Sequence, residues 1–172
     1  MLKGVIVSNI SNIYIVEVDG AIYECNARGK FKNIDITPVV GDKVNIEVLD
    51  NDKNMAVISE VLPRENYIKR PKLANLNKLI LVVSIKQPKP DLLMLDKQLA
   101  FAEFLNLDVC IVINKIDLEK EEKIEEIQKI YTNIGYRVII TNAKDGQGTD
   151  KLHKELLNRI SAFSGNSGVR KI

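Results

Sequence analysis

The sequence is poor in the residues on which metal centres, disulfide frameworks and histidine-based catalysis depend. It contains two cysteines and one histidine in 172 residues. Cys25 and Cys110 fall in separate predicted strands without the spacing of a metal site, so we expect buried free thiols in a reducing compartment. His153 falls on a short charged helix with no partner carboxylate in view, so we expect a surface residue. We therefore assign no catalytic side chain and no metal ligand.

Long apolar runs are also missing, and no basic segment followed by an apolar run opens the chain. These absences argue against a transmembrane helix and against a cleaved leader, so we expect a cytoplasmic protein without a membrane partner. The net charge is +2, so any contact with nucleic acid must come from local clusters of positive charge. Hydrophobic residues make up 45% of the chain, which is enough for one large or two small domains.

The first sixty residues have the pattern of a small all-β domain. Several short runs alternate apolar and polar residues, as half-buried antiparallel strands do. The predicted strands are Lys3–Ser8, Ile13–Val18, Ala21–Asn26, Lys43–Leu49 and Met55–Leu62. Asp19-Gly20 is a strong two-residue hairpin signal. Five strands in this length predict a closed barrel of the oligonucleotide-binding (OB) type over residues 1–63, with an SH3-like barrel as the alternative.

A first cluster of positive charge lies in this predicted barrel. Arg28, Lys30 and Lys32 share one loop-like run, with Phe31 between the lysines. Cations beside an aromatic ring can hold phosphates and stack a base, so we predict RNA contacts here. The alternative is a solvated loop in which Phe31 packs inward.

A second basic cluster follows at Arg64, Lys69, Arg70 and Lys72. We include Lys69 and Arg70 among the predicted RNA-binding residues. Pro63 and Pro71 bracket the cluster and discourage regular structure, so residues 64–74 are interpreted as an interdomain linker.

From Asn75 onward, strands alternate with helices. The predicted elements are strand Leu79–Ile85, helix Asp91–Asn106, a strand from Val109, helix Glu119–Ile134, strand Arg137–Asn142, a short helix Thr149–Asn158 and strand Ile160–Phe163. Such alternation predicts an α/β domain with a parallel sheet over residues 75–172.

The strand from Val109 ends in Asn114-Lys115-Ile116-Asp117, at the edge where open α/β sheets bind ligands. A carboxylate can accept two hydrogen bonds from adjacent N–H donors on one edge of guanine, and adenine offers no matching pair. We therefore predict that Asp117 reads guanine, that Asn114 holds the loop and contacts the base edge, and that the stem of Lys115 covers the ring. An ordinary polar turn before a helix is the alternative.

A second element that could contact the base follows. Thr141-Asn142-Ala143-Lys144 resembles the Ser-Ala-Lys element of guanine-nucleotide-binding proteins, in which a main-chain N–H meets the guanine carbonyl oxygen. Ala143 and Lys144 are therefore predicted to support the base, although Asn142 replaces the serine.

The chain then closes with a partial match to the phosphate-loop pattern G-x-x-x-x-G-K-[ST], whose main-chain N–H groups and lysine hold phosphate. Arg170 stands where the second glycine should be, and Ile172 stands where the hydroxyl that binds magnesium should be. The predicted phosphate-binding residues are Gly165, Asn166, Ser167, Gly168, Val169 and Lys171.

In ordinary small GTPases the phosphate loop comes first in the chain and the elements that read the base come last. In this sequence the predicted base-reading elements precede the predicted phosphate loop. A circularly permuted GTPase domain behind a small barrel resembles the ribosome-small-subunit-dependent GTPase A family, and the resemblance covers essentially the whole chain. It implies binding of GTP or GDP with Mg²⁺, a barrel that contacts ribosomal RNA, and hydrolysis stimulated by the small ribosomal subunit. The family also carries switch regions and a zinc-binding C-terminal domain, so Zn²⁺ is expected only there.

We expect the chain to be truncated at its phosphate loop and, by itself, to lack effective GTP hydrolysis, because the magnesium hydroxyl and the groups that position water are absent. One inserted A ahead of codons for Gly-Lys-Ser-Ser would yield Arg-Lys-Ile and a stop, which is our hypothesis for the ending. Vector-derived residues or a natural stop are the alternatives. The alternative function is a non-catalytic RNA- or ribosome-binding remnant with an impaired guanine pocket. We expect a monomer.

Overall fold

The first part of the chain forms a closed five-stranded barrel, as predicted. The computed structural model describes residues 1–28, 37–50 and 53–169, and two compact units divide the chain, Met1–Leu76 and Asn77–Ile172. The barrel strands are β1 Leu2–Ile10, β2 Ile13–Val18, β3 Ala21–Ala27, β4 Lys43–Asp50 and β5 Met55–Val61. They pair in the order β1-β2-β3-β5-β4, and β4 closes the barrel by pairing with β1.

Alternation of side chains fills the barrel. On β2, Tyr14, Val16 and Val18 are buried, and the residues between them are more exposed. Since successive side chains of a strand point to opposite faces, this pattern directs every second residue into the core. All pairs are antiparallel except β3 with β5, which is parallel. Cys25 lies in this core as a free thiol, as predicted.

The stretch predicted as an irregular linker contains a β-hairpin. Strand β6 spans Tyr67–Lys69 and strand β7 spans Lys72–Ala74, paired antiparallel. Pro63 and Pro71 were expected to discourage regular structure here, and that expectation is wrong for residues 67–74, because Pro71 lies in the turn and so removes no donor from the ladder. The hairpin joins the first unit through a bridge between Leu73 and Val40. The domain and linker boundaries drawn from the sequence stay predictions.

The second unit is an α/β domain with four parallel strands. Its elements are β8 Lys78–Ser84, α1 Leu92–Phe104, β9 Asp108–Asn114, α2 Glu121–Asn133, β10 Arg137–Ile140, α3 Thr149–Leu156 and β11 Ser161–Ser164. The sheet order is β10-β9-β8-β11, so the chain crosses to the other side of β8 for its last strand. This crossing brings the carboxyl ends of β8, β9 and β11 to one edge, where open parallel sheets bind ligands.

The helices cover the sheet with apolar faces. Asp91 caps α1 by accepting a hydrogen bond from the Met94 N–H at 2.9 Å. Leu95, Leu99 and Ala102 of α1 are buried, as the helical spacing predicted.

On α2 the buried residues are Ile124, Ile127 and Tyr131. The spacing of the isoleucines in the sequence predicts Ile130 and Ile134 on the same face as Ile124 and Ile127. Both are exposed in the structure, because Tyr131 lies four residues after Ile127 and takes the inward position. A 3-10 helix at Ile116–Leu118, which was not predicted, precedes α2, and α2 begins two residues after the predicted start at Glu119.

Candidate nucleotide-binding site

The loops after β9 and β10 enclose one open cavity at the carboxyl edge of the sheet. Its volume is about 250 Å³. The lining residues are Asn114, Lys115, Asp117, Leu118, Asn142, Ala143 and Lys144. The structure therefore brings all five residues predicted to contact guanine to the wall of a single cavity.

Asn114 connects the three loops that were predicted to bind nucleotide. Its side chain is fully buried. The amide oxygen accepts hydrogen bonds from the Ala143 N–H at 3.0 Å and from the Thr141 hydroxyl at 3.1 Å. The amide nitrogen donates to the Val169 carbonyl oxygen at 3.0 Å. Of the two roles predicted for Asn114, the structure displays that of holding the loops.

Lys115 leaves the end of β9 in the left-handed region, with a φ of 63°. Its ammonium group donates to the carbonyl oxygens of Gln87 and Gly168, at 2.7 Å for Gly168. The lysine side chain therefore spans from the base-reading loop to the phosphate loop. A side chain stretched in this way presents its aliphatic stem along the cavity wall.

The other side chains and main-chain groups that were predicted to contact guanine differ in their hydrogen bonds. The Asp117 side chain is exposed at the cavity. The Lys144 N–H donates to the Asn142 amide oxygen at 3.2 Å, and the Ala143 N–H donates to Asn114. Asn142 is buried and also donates to Asp145 at 2.7 Å, so it organises this turn where a serine was expected.

The phosphate-loop segment follows β11 directly. Gly165 must be glycine, because a β-carbon there would collide with the Val82 carbonyl oxygen. Gly168 has a φ of +82°, which also favours glycine. Val169 was predicted to bind phosphate, and the structure buries its side chain in the core and uses its carbonyl to accept from Asn114.

Asn166 and Ser167 of this segment are exposed. Lys171, also predicted to bind phosphate, lies outside the described residues.

The residues predicted to bind RNA are found in different settings. Arg28 pairs with Glu47 on the barrel surface. Lys69 and Arg70 are exposed at the turn between β6 and β7, and Lys72 at the start of β7 is exposed as well. The predicted contacts Lys30, Phe31 and Lys32 lie outside the described residues.

Arg64 of the second basic cluster has a structural role. Its guanidinium forms two hydrogen bonds, at 2.7 and 2.8 Å, with the carboxylate of Asp42, which is fully buried. The hydrogen bond to Asp42 is also the main reason that the pKa of Arg64 is raised. A guanidinium committed to a buried carboxylate is not available to a phosphate in the way the sequence suggested.

Sequence reasoning missed the loop after β8 as part of the site. Gln87 accepts from Lys115 through its carbonyl, and Pro88 lies beside Gly168. The Ser84 hydroxyl fixes this loop by donating to the Pro88 carbonyl at 2.7 Å. The position of the loop just after a parallel strand was the available signal, since loops at that edge face the ligand.

One carboxylate next to the cavity-lining residue Leu118 has a shifted pKa. The Lys120 N–H donates to the Glu119 carboxylate, and this bond, with Lys86 nearby, lowers the pKa of Glu119. Within residues 1–28, 37–50 and 53–169, no three or more histidine, cysteine, aspartate or glutamate side chains are grouped to hold a metal ion.

The fold and the site together define a class of protein: an α/β domain of the GTPase class in circularly permuted order, preceded by a closed β-barrel. The chain belongs to the RsgA GTPase family. The RsgA GTPase model matches residues 61–172, and the RsgA N-terminal domain model matches residues 3–58.

Related proteins and solved structures agree with this assignment. A small ribosomal subunit biogenesis GTPase RsgA from Alkaliphilus metalliredigens is 41% identical over 171 residues, and one from Caldanaerobacter subterraneus is 39% identical over 170 residues. Each match covers 99% of this chain, but only 59% and 57% of the two relatives.

The crystal structure of YjeQ from Thermotoga maritima matches with a TM-score of 0.87 and 34% identity, and that of YloQ, a circularly permuted GTPase, with 0.85 and 32%. Each covers 98% of this chain and 61% of the solved chain. The predicted family and permuted fold are thereby confirmed.

Proposed function

We propose that this chain is the guanine-nucleotide-binding and RNA-binding part of a GTPase that acts in biogenesis of the small ribosomal subunit. The single observation that carries the proposal is the cavity in which Asn114, Lys115, Asp117, Ala143 and Lys144 meet. The two relatives described above, whose matches cover 99% of this chain, are named for this function.

Guanine selection follows from the chemistry of the cavity. Asp117 presents an acceptor-only carboxylate, which complements the two adjacent N–H donors of guanine. Lys115 lines the cavity and would cover one face of the ring. Both main-chain N–H groups of Ala143 and Lys144 have partners within the protein, so a guanine carbonyl oxygen would share a donor with Asn114 or Asn142.

A donor-acceptor exchange at Asp117 tests this assignment. Asp117→Asn replaces one carboxylate acceptor by an amide N–H donor. This donor would face the amino group of guanine, which is also a donor, so the hydrogen bond is lost. Xanthine has a carbonyl oxygen at that position, which can accept a hydrogen bond from the amide. We expect the variant to lose affinity for fluorescent GDP by about a hundredfold and to gain affinity for XDP. Asp150→Asn on α3 is the matched control, because Asp150 is also exposed but lies outside the cavity. Equal binding of GDP and ADP by the parent chain would overturn the proposal.

We further propose that the 172-residue polypeptide, expressed as such, does not turn over GTP at a useful rate. The position that would supply a hydroxyl to Mg²⁺ is Ile172, which has no oxygen in its side chain. The residues present therefore do not fit Mg²⁺, and we derive no catalytic step through the metal. Steady turnover by the pure polypeptide above its background would refute this claim.

The barrel and its hairpin are proposed to contact ribosomal RNA. Support comes from the exposed cations Lys69, Arg70 and Lys72, which cluster at one end of a hairpin. A polypeptide that binds RNA through this end and fails to select GDP would be a non-catalytic RNA-binding remnant, our second candidate function.

Location in the cytoplasm and a monomeric state belong to the same proposal. None of the helices in the described part of the chain is long and apolar enough to cross a bilayer. Sedimentation velocity of the purified chain tests the monomer.

A further inference from the structure

A groove separate from the candidate nucleotide cavity lies between helices α1 and α2. Two segments of chain line it, within residues 85–92 and 119–130, and we call it the α1–α2 groove. Its volume is about 440 Å³, larger than the cavity of about 250 Å³, and none of the described residues lines both. Small-molecule sites in proteins typically have volumes of about 300–1,000 Å³, so the groove is large enough to hold a ligand of its own.

The inner wall of the α1–α2 groove is apolar. Ile85 and Ile127 lie at its base and are 2% and 7% exposed. Pro90 and Leu92 are half-buried in its wall, and Ile130 is 46% exposed there. Because Ile127 and Ile130 are three residues apart in a helix, they lie on the same side of α2. The groove therefore presents an apolar surface that runs along α2.

Positive charge is concentrated at one end of the groove. Lys86 and Lys89 belong to the loop that follows the carboxyl end of β8, and Lys123 lies in the first turn of α2. Since α2 begins after the carboxyl end of the parallel strand β9, its first turn lies at the same edge of the sheet as that loop. Glu119 also lies at this end and pairs with Lys86 at 3.5 Å. Three cations and one carboxylate leave an excess of positive charge.

Further along the groove the charge is negative. Glu126 follows Lys123 by three residues, so it lies about one helical turn away from the cationic end. Among the described lining residues of α2, no lysine follows Glu126. A ligand with one negative charge at its end and an uncharged apolar body matches this arrangement. A second negative charge on the ligand would meet Glu126 and an apolar wall that cannot solvate it.

We propose that the α1–α2 groove binds a small amphipathic anion of the medium-chain monocarboxylate class. The carboxylate lies beside Lys86, Lys89 and Lys123, where opposite charges attract. The hydrocarbon chain lies over Ile127 and Ile130, where contact removes apolar surface of both molecules from water. The site goes beyond the binding of guanine nucleotide, because its residues do not belong to the nucleotide cavity.

The same features disfavour polyanions as occupants. A nucleotide carries several negative charges and a polar sugar, which do not suit an apolar wall that ends near Glu126. RNA binds through a series of phosphate contacts, and the cations of this groove are confined to one end.

Nuclear magnetic resonance of the ¹⁵N-labelled chain, titrated with sodium decanoate in the absence of nucleotide, tests the proposal. We expect saturable shifts of amide signals within residues 85–92 and 119–130, and none in residues 13–18 of the barrel. Decanedioate and decyltrimethylammonium should bind at least about tenfold more weakly, because one adds a second negative charge and the other reverses the charge. Equal binding of either compound, or shifts that do not saturate, would contradict the proposal.

A pair of double variants identifies the cations responsible. Lys89→Ala with Lys123→Ala should weaken decanoate binding by at least about fivefold, since each removes one exposed ion contact. Lys120→Ala with Lys129→Ala is the matched control, because it lowers net charge equally with lysines that are exposed but do not line the groove. Equal weakening by both pairs would show that decanoate responds to net charge and not to this site.

A further pair tests the apolar wall. Ile130→Glu should weaken decanoate binding by at least about tenfold, because it places a charge where the hydrocarbon chain lies. Ile22→Glu on β3 should leave binding unchanged, and it is a matched control because Ile22 is 48% exposed. Circular dichroism of each variant checks that the fold is kept. Unchanged binding by Ile130→Glu would overturn the proposal.

Two other results would lead to different conclusions. If the parent chain sediments as a dimer without decanoate and Ile130→Glu makes it a monomer, the groove is a contact between copies of the chain and the proposal is wrong. Since no step uses nucleotide, failure to bind decanoate leaves the proposed guanine site standing, and failure to bind GDP leaves this groove standing.

Discussion

Asn114 satisfies three polar groups that would otherwise be buried without partners. Replacing it by alanine would leave the Thr141 hydroxyl, the Ala143 N–H and the Val169 carbonyl without this partner. Each unsatisfied buried group costs about 1–3 kcal/mol, so we expect Asn114→Ala to destabilise the α/β unit by more than about 2 kcal/mol. Urea unfolding followed by circular dichroism measures the loss. Asn133→Ala, an exposed change on α2, should alter stability by less than about 0.5 kcal/mol.

Arg64 has a structural role because its guanidinium pairs with the buried carboxylate of Asp42. Asp42 also accepts from the Val39 N–H at 2.8 Å, and Arg64 donates to the Thr37 carbonyl at 2.9 Å. Removing one partner of a buried ion pair costs about 3–5 kcal/mol, because the other charge stays buried and unpaired. We expect Arg64→Ala to lower the thermal stability of the barrel strongly and Lys69→Ala to leave it unchanged. Equal melting curves for the two variants would show that Arg64 is not structural.

The types of residue at the site could be predicted from the sequence, but their partners could not. The spacing of Asn114, Lys115 and Asp117 after an apolar strand specifies an acceptor at the edge of a sheet. That the Asn114 amide bonds to Val169, 55 residues later, depends on the loops meeting in space. Gln87 was missed for the same reason, since only its carbonyl takes part and main-chain groups leave no mark on composition.

At the scale of elements, the end of the β6–β7 hairpin should account for part of the salt dependence of RNA binding. Lys69, Arg70 and Lys72 are exposed there, and each phosphate contact contributes about 0.7 to the slope of log affinity against log salt for single strands. We expect the triple alanine variant to bind ribosomal RNA more weakly and with a slope smaller by about 2. A filter-binding series at several salt concentrations gives the slope.

The matched control removes Lys120, which precedes α2, together with Lys123 and Lys129 of α2, so that net charge falls equally. If this control lowers the slope as much as the hairpin variant, the effect is one of net charge and the hairpin has no special contact.

An ion network around the buried Lys78 joins the amino ends of three strands. Lys78 at the start of β8 is fully buried and pairs with Glu155 at 2.5 Å and Asp108 at 3.0 Å, and Arg137 pairs with Glu155 at 2.5 Å. Burial by itself would lower the pKa of Lys78, but the hydrogen bonds to Glu155 and Asp108 outweigh it and raise that pKa. The hydrogen bond from Lys78 lowers the pKa of Glu155.

Because the folded-state pKa of Glu155 lies below its ordinary value of 4.5, its contribution to stability is present above pH 4.5 and is lost as pH falls through the folded-state pKa. We expect Glu155→Gln to cost about 2 kcal/mol at pH 7 and progressively less below pH 4.5. Urea unfolding of both proteins at several pH values measures the difference. A cost that stays constant down to pH 3 would rule out ionised Glu155 as its source.

Most elements could be predicted because alternation and helical spacing are local signals. The predicted β2 agrees with the structure at both ends, and β1 and β3 differ by one or two residues at their ends. The β6–β7 hairpin was missed because proline is a breaker within a strand but not in the turn at Pro71. Tyr131 was overlooked because an apolar pattern built from isoleucines alone ignores an aromatic ring whose hydroxyl donates to Asp96 at 2.9 Å.

At the scale of the whole molecule, the order of the predicted elements was enough to indicate the family, whereas the packing of α1 against β11 could not be predicted. The sequence alone shows that the motif at Asn114–Asp117 precedes the motif at Gly165–Gly168. Which side of α1 meets β11 is known only from the structure, in which the Gln98 side chain donates to the Ser164 hydroxyl. The hydrophobic residues of α1 looked like ordinary core from the sequence, since Leu95 and Leu99 share the same helix.

The two units carry one buried thiol each, so thiol labelling should report their stabilities separately. Burial, the main cause in both, raises the pKa of Cys25 and of Cys110 to about 11, and neither thiol reacts readily in the folded state at pH 8. The barrel ladder closes on itself, whereas β11 has a neighbouring strand on one side only within the residues that the structure describes. We therefore expect Cys110 to become reactive at a lower urea concentration than Cys25.

Pulsed alkylation with iodoacetamide, followed by mass spectrometry of peptides, measures the two midpoints in one experiment. Cys25→Ala and Cys110→Ala assign each signal. Coincident midpoints in the chain alone, or a lower midpoint for Cys25, would mean that the open edge of β11 does not limit the stability of its unit.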